Sequence, residues 1–578
     1  MEIEKMMQEL EWLRREIIGR NLLFRTCFGE KPLVYADYTA SGRNLLFVEN
    51  YMLQVMKYYA NTHTEDDYTG KTMTTLLHEA EKIIKQLVNA GPGGKIIFTE
   101  SGTTGGITRL QQILGVYWPP ATKRRVDSFL KSCLSRYPGR EKCNEQLLNY
   151  FDENKPVVFV GPYEHHSNEI MWRRTLCEVI EISLNDQGEI DLLALESTVS
   201  SPIYNHRPKI GSFSAASNVT GIKTPVYEVA RILHEHNALA CFDFAACAPY
   251  VEIDMNRDEQ SCFDAIFLSP HKFLGGPGTS GLLIFNEKIY PRDLPPCIAA
   301  GGTVDYVSPQ REKYIDDIET REKPGTPAIL QNIKAALVFQ LKEKVGIRKI
   351  ETIEKFLIAD FYNHFQDNSG IVLYGPTDPG KKVAIIPFNI VHGTRVLHPK
   401  FVTRLMNDLF GIQTRAGCSC AGPYGHRLLQ ISDEISRYYQ CAIGLDHYSG
   451  LKPGWVRLNL HYTLSRPEYD YLVRVVDFMI KYACRFLPLY VFDFSTGDWH
   501  HISEKECHLP LTLEFAEVLQ APGFKPEIME NIEELFQTNL KKTLTLAESL
   551  SEVADYPVFE NEIERLMFFN VINYVNKR

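Results

Sequence analysis

The chain has 578 residues, more than one hydrophobic core can serve, so several domains are expected. Its 44% hydrophobic and 23% charged content is that of an ordinary globular protein. Against 72 Asp and Glu there are 62 Lys and Arg, and the resulting formal charge of −10 argues against a nucleic-acid surface and favours solubility.

In chain order, residues 1–32 read as an amphipathic helix leading into a first strand. The first twenty mix Glu, Lys and Arg with Leu and Ile, and so lack the apolar stretch of a signal peptide. Helical periodicity dominates from about Asn50 to Ala90. From Lys95 to Phe285 short apolar runs alternate with helical patterns. Strands are predicted at Ile96–Phe98, Val157–Val160, Glu178–Ile182, Lys209–Ser214, Ala238–Phe242, Ala265–Leu268 and Gly281–Phe285. That alternation predicts a wound, mostly parallel sheet with its ligand outside the strand carboxyl ends. Beyond Gly325-Thr326-Pro327 a long helix leads to a second, α+β region. Its strands are expected near Val383–Ile390 and Val456–Leu460, and a helix from Arg466 to Cys484 closes it. No apolar run reaches membrane-spanning length. The 13 cysteines are odd in number and lack paired spacing, which predicts free thiols in a reducing cytoplasm.

Three strand ends carry chemistry. Leu268-Ser269-Pro270-His271-Lys272 places a lysine between an apolar run and a glycine-rich turn. Such a lysine can hold an aldehyde as a Schiff base, with Ser269 and His271 beside it to receive a phosphate; taken alone, the turn reads rather as a surface lysine in a polar turn. Upstream, Asp243 closes a strand of small and aromatic residues. It is either a strand-end cap or the anion that keeps a pyridine nitrogen protonated, as pyridoxal 5'-phosphate requires. Ser101-Gly102-Thr103-Thr104 follows a strand and opens a helix, where backbone N–H groups and two hydroxyls make a phosphate cradle. Together the three form a constellation that none makes alone.

At these residues the chain resembles the class V aminotransferases of PLP fold type I, and among them the group II cysteine desulfurases and selenocysteine lyases. The likeness runs from about Tyr35 to about Pro488. It rests on Tyr35-Ala36-Asp37-Tyr38-Thr39, the Ser101, Asp243 and Lys272 segments, Glu164-His165-His166-Ser167-Asn168, Ser217-Asn218-Val219-Thr220-Gly221, Gly301-Gly302-Thr303, Arg415-Ala416-Gly417-Cys418-Ser419-Cys420 and Trp455-Val456-Arg457. The fold it implies is α/β, with a large domain on a mostly parallel seven-stranded sheet, a smaller α+β domain and an extra C-terminal helical tail. The implied division is residues 1–50 as an N-terminal helix and joining segment, 51–330 as the PLP-binding domain, 331–488 as the small domain with the cysteine loop, and 489–578 as the extension.

The resemblance also implies roles. Lys272 holds the cofactor and then takes the Cα proton; His165 stacks on the ring and relays protons, with His166 as the fallback. Gly102, Thr103, Thr104, Ser269 and His271 hold the cofactor with Asp243, while Thr303 reaches the phosphate of the partner subunit in a homodimer. Asn218, Arg415 and Arg457 bind substrate, the last as a carboxylate clamp. Cys420 attacks the sulfur of a bound cysteine and becomes a persulfide, with Cys418 a bystander and Arg415 near enough to favour thiolate. No second Cys or His pair has zinc-site spacing, so no metal is expected. If the cysteine loop is extended, the two thiols lie roughly 6–7 Å apart along it. The expected activity is C–S or C–Se cleavage of an amino acid, with a sulfur-acceptor protein as a further partner. Transamination, β-elimination without persulfide and an inactive scaffold are the alternatives. One departure stands out: Ala246 lies where desulfurases carry glutamine. Relative to the family, 119–156, 422–454 and 489–578 are additions.

Overall fold

The computed structural model describes residues 2–62, 66–100, 102–135 and 149–503, then 531–553, 555–559 and 562–575, with isolated positions between 511 and 529. The chain forms two compact units, Ser41–Ile347 and Met1–Ala40 with Arg348–Arg578.

The first unit is built on seven strands: β1 (Gly94–Thr99), β2 (Val157–Val160), β3 (Glu178–Glu181), β4 (Lys209–Ser214), β5 (Ala238–Asp243), β6 (Ala265–Leu268) and β7 (Gly281–Asn286). Their spatial order is β1-β7-β6-β5-β4-β2-β3. Only β7 runs against its neighbours; the remaining pairs are parallel. Every residue of β2, β4 and β6 is buried, as a sheet covered on both faces requires. Helix α1 (Gly102–Ile113) lays Ile107, Leu110 and Ile113 against Ile97, Val158, Phe267 and Leu283 in one cluster. Gly211 in β4 is where helix α2 (Val226–Glu235) comes closest, since a Cβ there would sit 2.4 Å from Leu233 Cδ1.

In the second unit, strands β8 (Ile371–Leu373), β9 (Ile385–His392), β10 (Arg415–Gly417) and β11 (Trp455–Asn459) form an antiparallel sheet in the order β8-β9-β11-β10. Helices α3 (Pro399–Phe410), α4 (Asp433–Gly444) and α5 (Arg466–Tyr482) accompany it. A capping box between Ser465 and Glu468 starts α5, and Glu468 also receives two bonds from Arg20, at 3.0 and 2.9 Å.

The N-terminal segment departs from the single helix expected over 1–32. Two short helices, Glu2–Gln8 and Glu11–Arg15, give way to a hairpin of Leu23–Thr26 with Gly29–Pro32. Gly29, at φ +91, turns the chain through a conformation that other residues disfavour.

Past Pro488 the chain supplies strand as well as helix. Tyr490–Asp493 pairs with Trp499–His501 and, in parallel, with Asn573–Val575. Helix α6 (Ile532–Ser549) stacks Phe536 on Tyr471 at 4.1 Å between ring centres. Asn539 accepts from Lys31 Nζ (2.6 Å) and donates to Leu409 O and Tyr471 OH (2.9 and 2.8 Å). The added residues 422–454 hold the same extension: Tyr439 OH donates to Leu566 O (3.1 Å), and Arg565 pairs with Glu434 (2.6 Å). Of the 119–156 addition, Pro120–Ser135 is helix; residues 136–148 lie outside the described residues, as do Ser101 and parts of 489–578. Among the described residues no helix is long and apolar enough to cross a membrane.

His398 is the titratable group at the heart of this packing. Its ring lies against Phe492, Trp499, Phe568 and Phe569. Nε2 donates to Gly450 O (3.2 Å) and Nδ1 accepts from Lys400 N (3.1 Å), which fixes the neutral tautomer. Burial pushes its pKa down to about 3. The unfolded chain binds this proton below about pH 6.5, and the folded chain refuses it until near 3, so stability is lost as pH falls through that window. His398→Gln removes the dependence. Urea unfolding of wild type and variant at pH 7 and pH 5 is expected to show their stability difference shift by about 2 kcal/mol toward the variant at pH 5; an unchanged difference contradicts the assignment.

Candidate active site

In the first unit the chemistry gathers where strands end. Asp243, the last residue of β5, is buried, accepting from Ala245 N (2.8 Å) and from the Thr103 hydroxyl. Burial dominates and pushes its pKa up to about 6, with those two bonds and the charge of Lys272 pulling it back. Lys272 ends one turn of 3₁₀ helix, Pro270–Lys272, immediately after β6. Because β5 and β6 are parallel neighbours with Asp243 opposite Phe267, both chains leave the sheet at one edge.

Ser269 Oγ accepts from Thr103 N (3.0 Å) at the start of α1. Gly102 there has φ +54, and a Cβ would lie 2.7 Å from Ser269 Oγ and 3.0 Å from His271 Cε1. Burial and the charge of Lys272 push the His271 pKa down to about 4. The ring is therefore neutral near pH 7. Thr104 shares a hydrogen bond with the Ser167 hydroxyl (2.7 Å).

His165 caps the turn His166–Asn168, its Nδ1 accepting from Ser167 N (3.1 Å), so the ring proton sits on Nε2 when neutral. His166 lies 6.3 Å away, centre to centre. Asn218 is buried in a turn whose Ser217 hydroxyl accepts from Val219 N and Thr220 N. Ala246 is buried three residues after Asp243. The Thr303 hydroxyl donates to Ala300 O (2.8 Å) within its own loop, where Gly302 takes φ +84.

The residues fit pyridoxal phosphate. A buried carboxylate whose charge desolvation disfavours gains from a pyridinium partner, and the α1 N-terminus with Ser269 and Gly102 leaves a cradle that a single methyl group would fill.

Glu164, which the motif alone leaves without a role, has one in the structure. It is buried, and its carboxylate accepts from Gly161 N, Ser214 N, Ser214 Oγ and Asn168 Nδ2, at 2.6–3.1 Å. Asn168 Oδ1 in turn accepts from Ser212 Oγ and Trp172 Nε1. This network anchors the segment that carries His165. A glutamate directly before the paired histidines was the available signal.

In the second unit, Arg415 on β10 faces Arg457 on β11. Arg457 is buried and donates from Nη2 to Asp37 Oδ1 (2.7 Å). Burial lowers its pKa, Asp37 opposes that and Arg415 adds to it. Asp37 also went without a role in the sequence reading, although it stands in the quoted Tyr35-Ala36-Asp37 motif. Arg415 is exposed.

After β10 the loop is not extended. Ser419 and Cys420 take φ +51 and +57, and Ala421 N donates to Cys418 O (3.1 Å), which closes a tight turn. The extended-chain spacing expected for the two thiols therefore does not apply. Both cysteines are half-buried.

The chain belongs to the class V aminotransferase family, whose model matches residues 34–123 and 145–448. Enzymes of that family use pyridoxal phosphate. Among curated relatives, a "probable cysteine desulfurase" of Halalkalibacterium halodurans is 27% identical over 397 residues, 68% of this chain and 85% of the relative. One of the same description from Staphylococcus aureus is 26% identical over 398 residues, 68% and 84% of the two chains. The fold is that of the apo cysteine desulfurase from Thermococcus onnurineus NA1, with TM-score 0.61, 23% identity and coverage of 78% of this chain and 95% of that one.

Glu164→Gln replaces two acceptor oxygens by one acceptor and one donor among four donors. It is expected to destabilise the fold by about 2–3 kcal/mol in urea unfolding, because a buried N–H is left facing donors. A change under about 0.5 kcal/mol would show the carboxylate to be dispensable.

Proposed function

We propose that this protein is a pyridoxal phosphate-dependent cysteine desulfurase, releasing alanine from cysteine and retaining the sulfur as an enzyme persulfide. One observation carries the choice of reaction: paired strands β10 and β11 hold both the buried Arg457 and the turn with Cys420. A transaminase needs the first and has no use for the second. The relatives named as desulfurases support the same reading.

When bound, pyridoxal phosphate supplies the electron sink for the bonds at Cα. Lys272 Nζ is its attachment point and moves the Cα proton. Asp243 holds the proton of the ring nitrogen, and the start of α1 with Ser269 holds the phosphate. His165 Nε2 is placed to pass protons. Arg457 binds the substrate carboxylate as a planar fork, with Asp37 holding it in orientation. Cys420 Sγ forms the new S–S bond as the substrate C–S bond breaks, which leaves alanine and a persulfide to be passed to a sulfur acceptor.

We place the enzyme in the cytoplasm as a homodimer. Supporting the dimer, helix Leu46–Met56 and the turn after it expose Tyr51, Leu53, Met56, Tyr58 and Tyr59, apolar and aromatic side chains that a partner subunit would cover. Sedimentation at working concentration tests it; a fully active monomer excludes it.

Borohydride treatment in the presence of pyridoxal phosphate is expected to leave a pyridoxyl group on the Lys272 peptide, and none on Lys272→Ala. Cys420→Ser is expected to abolish persulfide and alanine formation from cysteine while leaving cofactor absorbance intact and Cys418→Ser near wild type. Persulfide on Cys418, or sulfide with pyruvate from the Cys420→Ser enzyme, would instead indicate another nucleophile or simple elimination. Arg457→Lys keeps the charge and loses the fork, so KM for cysteine is expected to rise about tenfold or more.

A further inference from the structure

Of the three stretches added to the family pattern, 119–156 is the one that neither the site nor the packing of the second unit puts to work. Its longest described element is helix Pro120–Ser135, sixteen residues in which no described side chain is buried. A surface helix ordinarily turns an apolar stripe to the core. This helix has the stripe: positions 126, 129, 130, 133 and 134 are Val, Phe, Leu, Cys and Leu, spaced to share one side. Yet Val126 is 36% and Phe129 68% exposed. Where the addition returns toward the sheet, Tyr150 and Phe151 are exposed as well.

The same helix is basic. Lys123, Arg124, Arg125 and Lys131 stand against Asp127 alone, on a chain whose formal charge is −10. Among the described residues only Lys123 of these cations has an ion partner, Asp127 at 3.1 Å. Topology sets the helix apart from the candidate active site. Helix α1 starts beside Ser269 and carries the chain roughly 18 Å away from it. After the addition, β2 runs parallel to β4 and β4 parallel to β5, so β2 begins at the edge opposite the one where Asp243 ends. Both ends of the addition are tied to that remote edge, and a contact made by the helix leaves Lys272 and Asp243 open.

We propose that helix Pro120–Ser135 docks this protein on an anionic lipid surface, with its apolar stripe set into the headgroup boundary and its arginines and lysines among the acidic headgroups. Phe and Leu on one side with Lys and Arg beyond them is the composition of helices that lie in that boundary. The attraction is local: charges act over about 8 Å at physiological ionic strength, so the helix cations meet the surface while acidic groups beyond that distance are screened. A helix tied to the body at both ends meets a plane more readily than a groove that must surround it, which favours lipid over an acidic protein.

Full-length protein sedimented with vesicles tests this. Binding is expected to vesicles of three parts phosphatidylcholine to one part phosphatidylserine, and to be about tenfold weaker or less with phosphatidylcholine alone. Phe129→Ser and the double change Arg124→Glu/Arg125→Glu are each expected to weaken binding about tenfold or more. Both alter exposed side chains, so the fold is not at stake. Lys541→Glu/Lys542→Glu reverses the same charge at exposed positions of α6 and is expected to bind as wild type does. Hydrogen exchange on wild type locates the contact, since amides of Pro120–Ser135 are expected to slow when the anionic vesicles are added. No sedimentation with anionic vesicles, equal binding to neutral ones, undiminished binding in both helix variants, or unchanged exchange across the helix each overturns the proposal. Slowed exchange with polyglutamate but not with vesicles would assign the helix to an acidic protein and overturn it too.

Discussion

A carboxylate sealed at the end of a parallel strand is the constraint on which the first unit is arranged. Asp243 cannot be buried cheaply, and its pKa near 6 records the cost. The surroundings answer with two hydrogen bonds and a lysine, each delivered by a different element: Ala245 by the turn after β5, Thr103 by the first turn of α1, Lys272 by the turn after β6. That convergence is possible only because β5 and β6 run in the same direction and finish level. A parallel sheet gathers its strand exits at one edge, and there a few fixed dipoles can serve a ligand without being rebuilt for it.

The second unit shows the opposite economy. Its sheet is short, and several of its buried groups find their partners in residues 489–578. Tyr490 OH donates to the buried Asp408 (2.9 Å), and Asp408 also receives Arg404 Nε (2.8 Å) from the preceding turn of α3. Removing the extension would strip one partner from that carboxylate, unstack Phe536 from Tyr471 and leave Lys31 without Asn539. Each loss exposes a buried polar or aromatic group, and such losses are cooperative when the groups share neighbours. The extension is therefore part of this unit's core rather than an appendage to it.

Much of this was legible in the sequence, for an identifiable reason. Strands such as Val157–Val160 and Ala265–Leu268 are buried on both faces, so they read as unbroken apolar runs between turn residues, and the predicted seven lie on the observed seven. Asp243 and Lys272 were visible because a charge at the end of an apolar run is conspicuous. What could not be read was who holds whom. The pairing of Arg457 with Asp37 joins residues 420 positions apart, and two of the four donors on Glu164 come from Ser214, fifty positions away. The hairpin at Leu23–Pro32 was missed because Leu, Arg and Lys there fit a helical period too; only Gly29 hinted otherwise. The compact turn at Ser419-Cys420 was invisible for a stronger reason, since neither residue favours the conformation it adopts.

Two consecutive non-glycine residues in the left-handed region cost roughly 1–2 kcal/mol each, so this turn persists only if its neighbours over-determine it. They do so from both sides. Before the turn, Gly417 lies so close to Gly454 that a Cβ on the latter would sit 2.7 Å from Gly417 Cα. After it, the chain enters helix Gly422–Leu428, where Gly425 admits the ring of Trp455: a Cβ there would be 3.1 Å from it. Gly454 and Trp455 are consecutive, and two residues further on the same strand is Arg457. One stretch of backbone thus fixes the turn that carries the thiol and the guanidinium proposed to grip the substrate. Asn389 reaches the same stretch from the buried strand β9 by donating to Gly454 O (2.9 Å), which ties the position of Cys420 to the sheet as well as to the clamp. The strain in the turn is held against the frame that carries the proposed substrate clamp.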